Sequence, residues 1–418
     1  MDKSKNKKKI IFKIKEFPHL SETFIIAQIL TAIKLGFEVN IVVSKLLDVK
    51  QSSHSDLLNK YNLLNKVIIE DYKIPVNKLI RLSKWTKLLI QNFQNFNYIF
   101  SFHKEQEKFS LTWLFQWNFY KQFNDASIIH VQYGTNKSPI DLLKKTEFFI
   151  PKVIVTFHGH DAFFPINGFI PNNGYYDNLF NYGDVITANT PYLKEKIFNL
   201  GCPEKKLKVL PVGVDTDFFY PNDNPKKNSR SNTLRLITVG RLDPVKGHVY
   251  SIEAVYELVK KGINITLTII GDGAEKENIE KIIQNYKLEN FVFMLGRKSQ
   301  NEVRELLWEH DLYVLTAVAL PDGRRETQGL ATLEAQACGL PVIAFDSGGV
   351  RYTIDHEETG FMCEEYNVAH LIDKIELLYN NNDLLKKMSE NTTNFINQNY
   401  AQNHIDSLWN EVYFELSK

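Results

Sequence analysis

Short runs of β-branched and large apolar residues recur along the whole chain, and many are separated by helix-length amphipathic segments. Before residue 215 they are IIFKI, VNIVVS, KVIIE, NYIFSF, SIIHVQ, KVIVTF, DVITA and KLKVLPVG; beyond it come LRLITVG, ITLTIIG, FVFMLG, LYVLTAV and PVIAF. Several stop at glycine or at a polar turn. That alternation predicts an α/β protein built from βαβ units on parallel sheets. At 418 residues the chain exceeds what one hydrophobic core organises, so two such domains are expected. The polar stretch DFFYPNDNPKKNSRSNT, 217–233, separates the two series and reads as a linker. The expected boundaries are thus 1–216 and 234–395, with a closing helix in 396–418 that packs back on the first domain.

Composition narrows the partners. With 44% hydrophobic and 24% charged residues and a net charge of +1, the chain is a globular protein and not a general polyanion binder, so nucleic acid is not expected to be a partner. Lys13 and Lys15 break the apolar run after the basic start, well short of a signal peptide, and no window offers the roughly 18 uncharged apolar residues of a membrane span. A cytoplasmic chain is expected. Cys202, Cys338 and Cys363 are scattered without CxxC spacing, which fits a reducing compartment. One segment stands apart: in 76–96, Lys78, Arg81, Lys84 and Lys87 occur with no acid, interleaved with Leu79, Ile80, Leu82, Trp85, Leu88, Leu89 and Ile90, and Trp113 and Trp117 follow. A basic amphipathic helix can lie on an anionic membrane surface; the commoner arrangement is a helix packed on a sheet with its lysines solvated.

Chemistry concentrates in the second half. GRLDPVKG follows the run LRLITV, so Arg241 and Lys246 should project from a loop at the carboxyl end of a parallel strand, where open α/β sheets bind ligands. Two cations there suit a diphosphate, although solvated surface cations would show the same pattern. In RRETQGLATLEAQACGLPVIAFDSGG, Glu334 stands in an almost wholly apolar helix with no cation at helical spacing, and a charge so placed needs a partner or a ligand. That helix should run from Gly329 to Gly339, its amino-terminal amides facing phosphate oxygens. Glu334 can accept two hydroxyl hydrogen bonds from a ribose, and Glu326 can do the same for a sugar unless it is simply solvated. A sugar nucleotide accounts for both acids and both cations. Elsewhere SQNEVRELLWEH opens with Ser299 and Glu302 in capping-box spacing. HGHD, 158–161, could lend metal ligands, but no further cluster completes a shell, and hydrogen-bonded histidines are the commoner outcome.

GRLDPVKG, the Glu326–Glu334 pair, EAQACGLPVIA and the following SGG resemble the retaining glycosyltransferases of family GT4. FPHLSETFI, HVQYGTN, VTFHGHDAF and NLGCPEKKLKVLPVGVDTDFFYP resemble the branch that builds bacterial exopolysaccharide, colanic-acid-type, lipopolysaccharide and capsular polymers, and the likeness spans nearly the whole chain outside about 45–125. The resemblance implies the GT-B architecture, two facing Rossmann-like domains with a cleft between them. It implies that Arg241 and Lys246 hold the donor diphosphate and stabilise the departing nucleotide, that amides near Gly329 and Leu330 face the phosphates, that Glu334 binds the ribose and that Glu326 lies by the donor sugar. Ser21, Glu22 and Thr23 take the place of a glycine-rich turn near diphosphate and acceptor. His158 or His130 would approach the sugar, with Asp161 in that vicinity. The implied catalytic group is Glu326, His158, Arg241 and Lys246. No metal or other cofactor is expected, only a nucleotide-diphosphate sugar as co-substrate, with a glycan or lipid-linked acceptor and peripheral contact at the inner membrane face. The implied reaction is front-face transfer with retention, the leaving diphosphate accepting the acceptor's proton. The pattern departs at Thr327 and Gln328, where relatives read Gly-aromatic, and at Tyr352, where a glutamate is usual, so an altered sugar pocket is expected. Rival readings are another GT-B enzyme such as a nucleotide-sugar epimerase, and a degenerate sugar-nucleotide-binding subunit.

Overall fold

The computed structural model describes residues 8–19, 22–48, 55–106, 110–222 and 233–418. The chain divides into two compact units: one gathers residues up to Ala188, Lys194–Val209 and Leu408–Lys418, the other Asn189–Leu193 and Leu210–Ser407. Of the stretch read as a linker, Phe219 is buried in the second unit's core, while 223–232 lie outside the described residues.

The first unit is built on a parallel sheet of seven strands: β1 (Lys9–Phe17), β2 (Glu38–Leu46), β3 (Val67–Ile69), β4 (Ile128–Gln132), β5 (Lys152–Thr156), β6 (Val185–Ala188) and β7 (Leu207–Val209), in the order β3-β2-β1-β4-β5-β6-β7. Its centre is buried, β4 along its whole length, with polar His130 and Gln132 enclosed among the apolar residues. The order reverses between β1 and β4, which are in register from Ile10 opposite Ile128 to Lys13 opposite Val131. Loops leaving the carboxyl ends of those two strands therefore flank the crevice where such sheets bind ligands.

The second unit repeats the plan with β8 (Leu234–Val239), β9 (Ile265–Ile270), β10 (Val292–Gly296), β11 (Leu312–Leu315), β12 (Val342–Phe345) and β13 (Gly360–Cys363), ordered β10-β9-β8-β11-β12-β13, so its reversal lies between β8 and β11. The helix Gln300–Trp308 carries the complete capping box, Ser299 accepting from the Glu302 amide and Glu302 from the Ser299 amide. Two elements differ from expectation. NYIFSF is not a strand but part of the helix Phe96–Lys104, whose Ile99 and Phe102 are buried at helical spacing. Packing at period 3.6 overrides the β-propensity of its aromatics. Strand β13, GFMC, is too short and too broken in pattern to be read from sequence.

Candidate functional site

In the second unit the loop after β8 closes tightly. Asp243 caps the turn Pro244–Lys246 by accepting from the Val245 amide at 3.1 Å, and Gly247 follows at φ +60°. A Cβ on Gly247 would sit 2.0 Å from the Thr316 carbonyl oxygen just beyond β11, so only glycine lets the two loops touch. This contact brings Lys246 within reach of the second loop: its Nζ donates to Glu326 Oε2 at 2.5 Å, 80 residues along the chain.

Glu326 is doubly held. Its Oε1 accepts from the amides of Thr327 and Gly329, each at 3.1 Å, at the entry to the helix Leu330–Ala337. Burial pushes the carboxyl upward, but Lys246 and the loop amides outweigh it and hold the group below the ordinary carboxylate range. The amides expected to face phosphate are thus turned toward Glu326 itself. Gly349, after β12, donates its amide to the Glu326 carbonyl at 2.8 Å, and a Cβ there would lie 1.8 Å from the Thr327 oxygen.

Thr327 and Gln328, where the family pattern departs, make ties within the protein. Both are buried. Gln328 accepts from the Val212 amide at 3.0 Å and donates to the Val212 carbonyl at 2.9 Å, while Thr190 donates to the Thr327 carbonyl at 2.8 Å. They tie the Glu326 loop to distant segments of the same unit.

Glu334, half-buried, differs from the partnered acids described above. It lies in the second turn of Leu330–Ala337, and among the described residues no cation or hydrogen-bond donor meets its carboxylate. Burial alone pushes it up to about 8. The neighbouring Tyr313 hydroxyl, which donates to the Val239 carbonyl at 3.0 Å, is raised by burial and then by the charges of Glu334 and Glu326, which places all three groups in one neighbourhood. A tyrosine inside an apolar strand looks like core, and Tyr313 is fully buried there, beneath this neighbourhood. Arg241 is exposed at the end of β8, with no carboxylate paired to it among the described residues.

In the first unit the crevice between β1 and β4 holds a polar cluster. Ser21 lies outside the described residues. Glu22, one residue before the helix Thr23–Lys34, accepts from the Tyr133 hydroxyl at 2.9 Å. Burial raises its carboxyl, opposed by Tyr133, His19 and His160. Tyr133 follows β4 at φ +67°, an uncommon conformation for a side chain of this size, and its ring lies 4.6 Å from His158 and 4.9 Å from His160. Tyr133 and His19 were not anticipated, and His160 was weighed only as part of HGHD; positions just beyond β1, β4 and β5 were the available signal. His158 Nε2 donates to Gln132 Oε1 at 2.8 Å, and Gln132 donates on to Gln28 at 2.6 Å, which fixes the imidazole's orientation. Burial, with His160, holds His158 down at about 3, so the ring is neutral at physiological pH.

The two other expected members are structural. His130 is wholly buried on β4, Nδ1 against the Tyr413 hydroxyl at 2.9 Å and Nε2 against Thr156 at 2.7 Å, with Phe12 stacked on its ring, so it has no face for a sugar. Asp161 is equally buried and accepts from the amides of Gly134 at 2.8 Å, Gly159 at 2.9 Å and His158 at 3.1 Å; its carboxylate shapes the loop and is not offered to a metal or a sugar. Among the described residues no three His, Cys, Asp or Glu side chains gather as a metal shell would.

Comparison with known proteins agrees with this geometry. Residues 32–218 match the model described as Glycosyltransferase Family 4, and residues 220–395 match Glycosyl transferases group 1. The chain belongs to the GT4-type glycosyltransferases. The enzyme is 27% identical over 375 residues, 88% of its length and 89% of the relative's, to the putative colanic acid biosynthesis glycosyltransferase WcaL of Escherichia coli K12. It is 27% identical to the amylovoran biosynthesis glycosyltransferase AmsK of Erwinia amylovora, across 85% of this chain and 87% of that one. Its fold matches that of Anabaena Alr3699/HepE, solved in complex with UDP and glucose, with a TM-score of 0.70 over 97% of this chain and 99% of that one at 16% identity. The two parallel-sheet units are those of the GT-B fold.

Proposed function

We propose that this glycosyltransferase moves a sugar, with retention, from a nucleotide-diphosphate donor to a hydroxyl of a glycan or lipid-linked oligosaccharide during bacterial surface-polysaccharide assembly, in contact with the inner membrane face. The carrying observation is Glu334: a carboxylate without a protein partner, beside an ion-paired Lys246–Glu326, at the reversal point of a parallel sheet. Half-buried and without a protein partner, its carboxylate is open to hydroxyl donors, and a ribose diol supplies two.

In the reaction the acceptor oxygen bonds to the anomeric carbon as the bond from that carbon to the diphosphate breaks. The acceptor's proton passes to the departing phosphate oxygen. Lys246 has three N–H donors and uses one on Glu326, so it can add a phosphate contact without releasing that partner. Arg241, exposed at the end of β8, brings a second cation, and together they neutralise charge as it develops. These cations supply the stabilisation, so the reading calls on no divalent ion, and chelator should leave the rate unchanged. His158, neutral and fixed by Gln132, serves as a hydrogen-bonding group near the sugar and not as an acid. The polysaccharide setting draws on WcaL and AmsK, and the donor class on HepE with its UDP and glucose. Thr327 and Gln328 are loop ties, and detectable donor hydrolysis would decide against the degenerate-subunit reading.

The test is thermal stabilisation by a panel of UDP, GDP and ADP sugars. A ligand at a hundred times its Kd adds about 2.7 kcal/mol. One base should raise the melting point, and Glu334→Ala should abolish the rise; a panel without effect, or an unaltered response in that variant, refutes the assignment.

A further inference from the structure

The stretch 76–104 contains no Asp or Glu but five cations, Lys78, Arg81, Lys84, Lys87 and Lys104. Its first helix, Lys78–Gln91, is firmly begun, the Asn77 side chain accepting from the Leu79 amide at 2.9 Å, yet it has no buried residue. It meets the rest of the unit along one side, where Trp85 stands edge-on to Trp113 at 6.1 Å. An adjoining side carries Leu79, Leu82, Thr86 and Ile90 at helical spacing, with Leu79 79% exposed and Ile90 76%. Phe93 follows, 76% exposed, and the helix Phe96–Lys104 continues with Phe96 and Phe100 exposed and stacked at 6.3 Å, the Lys104 ammonium over the Phe100 ring at 4.7 Å. Trp113 and Trp117, by contrast, are buried and cannot anchor the protein to anything.

A firmly capped helix with its large apolar side chains turned to water is a binding surface and not a core element. Its charge decides the occupant. A second copy would set five cations against five, whereas an anionic bilayer attracts each of them within a Debye length of ~8 Å and offers hydrocarbon to the apolar side chains between them. We infer that residues 76–104 form a membrane-insertion ridge, in which Leu79, Leu82, Ile90, Phe93, Phe96 and Phe100 enter the headgroup–acyl boundary of an anionic bilayer while Lys78, Lys84, Lys87 and Lys104 stay at its surface. This rests on the lipid-linked acceptor proposed above and makes the attachment a matter of insertion, with the cations steering it.

Cosedimentation of the full chain with vesicles of phosphatidylcholine alone, and with added phosphatidylglycerol, tests it at low and high salt. The chain should pellet with the anionic vesicles about tenfold more strongly than with neutral ones, and high salt should weaken this without abolishing it. Leu79→Ser with Ile90→Ser should reduce binding about tenfold, with the melting point and the response to donor unchanged because both side chains are exposed. Lys246→Ala should pellet like wild type, so failure of the donor assignment and failure of the ridge are told apart. Three results overturn the inference: wild type staying in the supernatant with both vesicle types, the double variant pelleting like wild type, or the double variant dissociating an oligomer of wild type that ignores vesicles.

Discussion

Replacing Glu334 with Gln separates what this carboxylate costs the fold from what it does for the ligand. The folded protein keeps the carboxyl proton up to about pH 8, whereas an unfolded chain releases it near ~4.3. The folded state therefore binds more protons, and the sign follows: this contribution to stability is fully present below ~4.3, declines as pH rises and is gone above about 8. At ~1.36 kcal/mol per pH unit the gap amounts to roughly 5 kcal/mol, and because the residue keeps some solvent access about 2–3 kcal/mol is the better expectation. Glutamine stays neutral throughout. Ligand-free Glu334→Gln should thus match wild type near pH 5 and exceed it by about 2–3 kcal/mol at pH 9, a rise of roughly 5–10 °C in the melting of the second unit. The assay is thermal melting from pH 5 to 9, with and without nucleotide. In saturating donor the order should reverse, because wild type gains a ribose contact that the amide serves poorly. A melting difference that does not change with pH would refute both the burial argument and the ligand assignment built on it.

Other perturbations address the loops around it. Lys246→Ala should lower turnover by about 10²–10³-fold while costing only a few degrees of melting temperature, since the Thr327 and Gly329 amides still hold Glu326; a wild-type rate would remove Lys246 from the reaction. Gly349→Ala drives a methyl into the Thr327 carbonyl, so it should destabilise by about 1–3 kcal/mol and abolish donor-induced stabilisation, read in one melting series. Asp161→Ala strands three amides and should cost about 2–3 kcal/mol in denaturant unfolding, whereas an unaffected midpoint would mean the loop holds its shape without them.

What could be read from sequence and what could not divides along sequence distance. Every strand but β13, the Ser299–Glu302 box and the helix bearing Glu334 are set by neighbours within a few residues and were legible, although NYIFSF was read as one strand too many. Glu334 also announced itself as a charge with nothing local to satisfy it. The Lys246–Glu326 pair spans 80 residues, the Gln328–Val212 tie 116 and the His130–Tyr413 bond 283, so no local pattern encodes them. His130, offered beside His158 as the sugar-facing group, is instead enclosed by a partner that no local pattern shows. Asp161 is a mixed case: two of its partners are the amides of His158 and Gly159 just before it, which the metal-like spelling HGHD obscured, while the third, Gly134, lies 27 residues back. Interleaved cations and apolar residues in 76–96 showed a basic amphipathic helix, but only coordinates separate Trp85, turned inward, from Leu79 and Ile90, turned out.

The bond between His130 and Tyr413 reaches past construction to synthesis. A ribosome finishes the seven-stranded sheet long before it emits Tyr413 and Trp409, which close over β4. Until then the imidazole lacks the side chains that bury it, so the first unit's core is complete only once the helix Gln402–Leu416 has been made. An expression fragment cut between the units would lack those side chains permanently, whereas supplying residues 402–418 as a separate peptide should restore them.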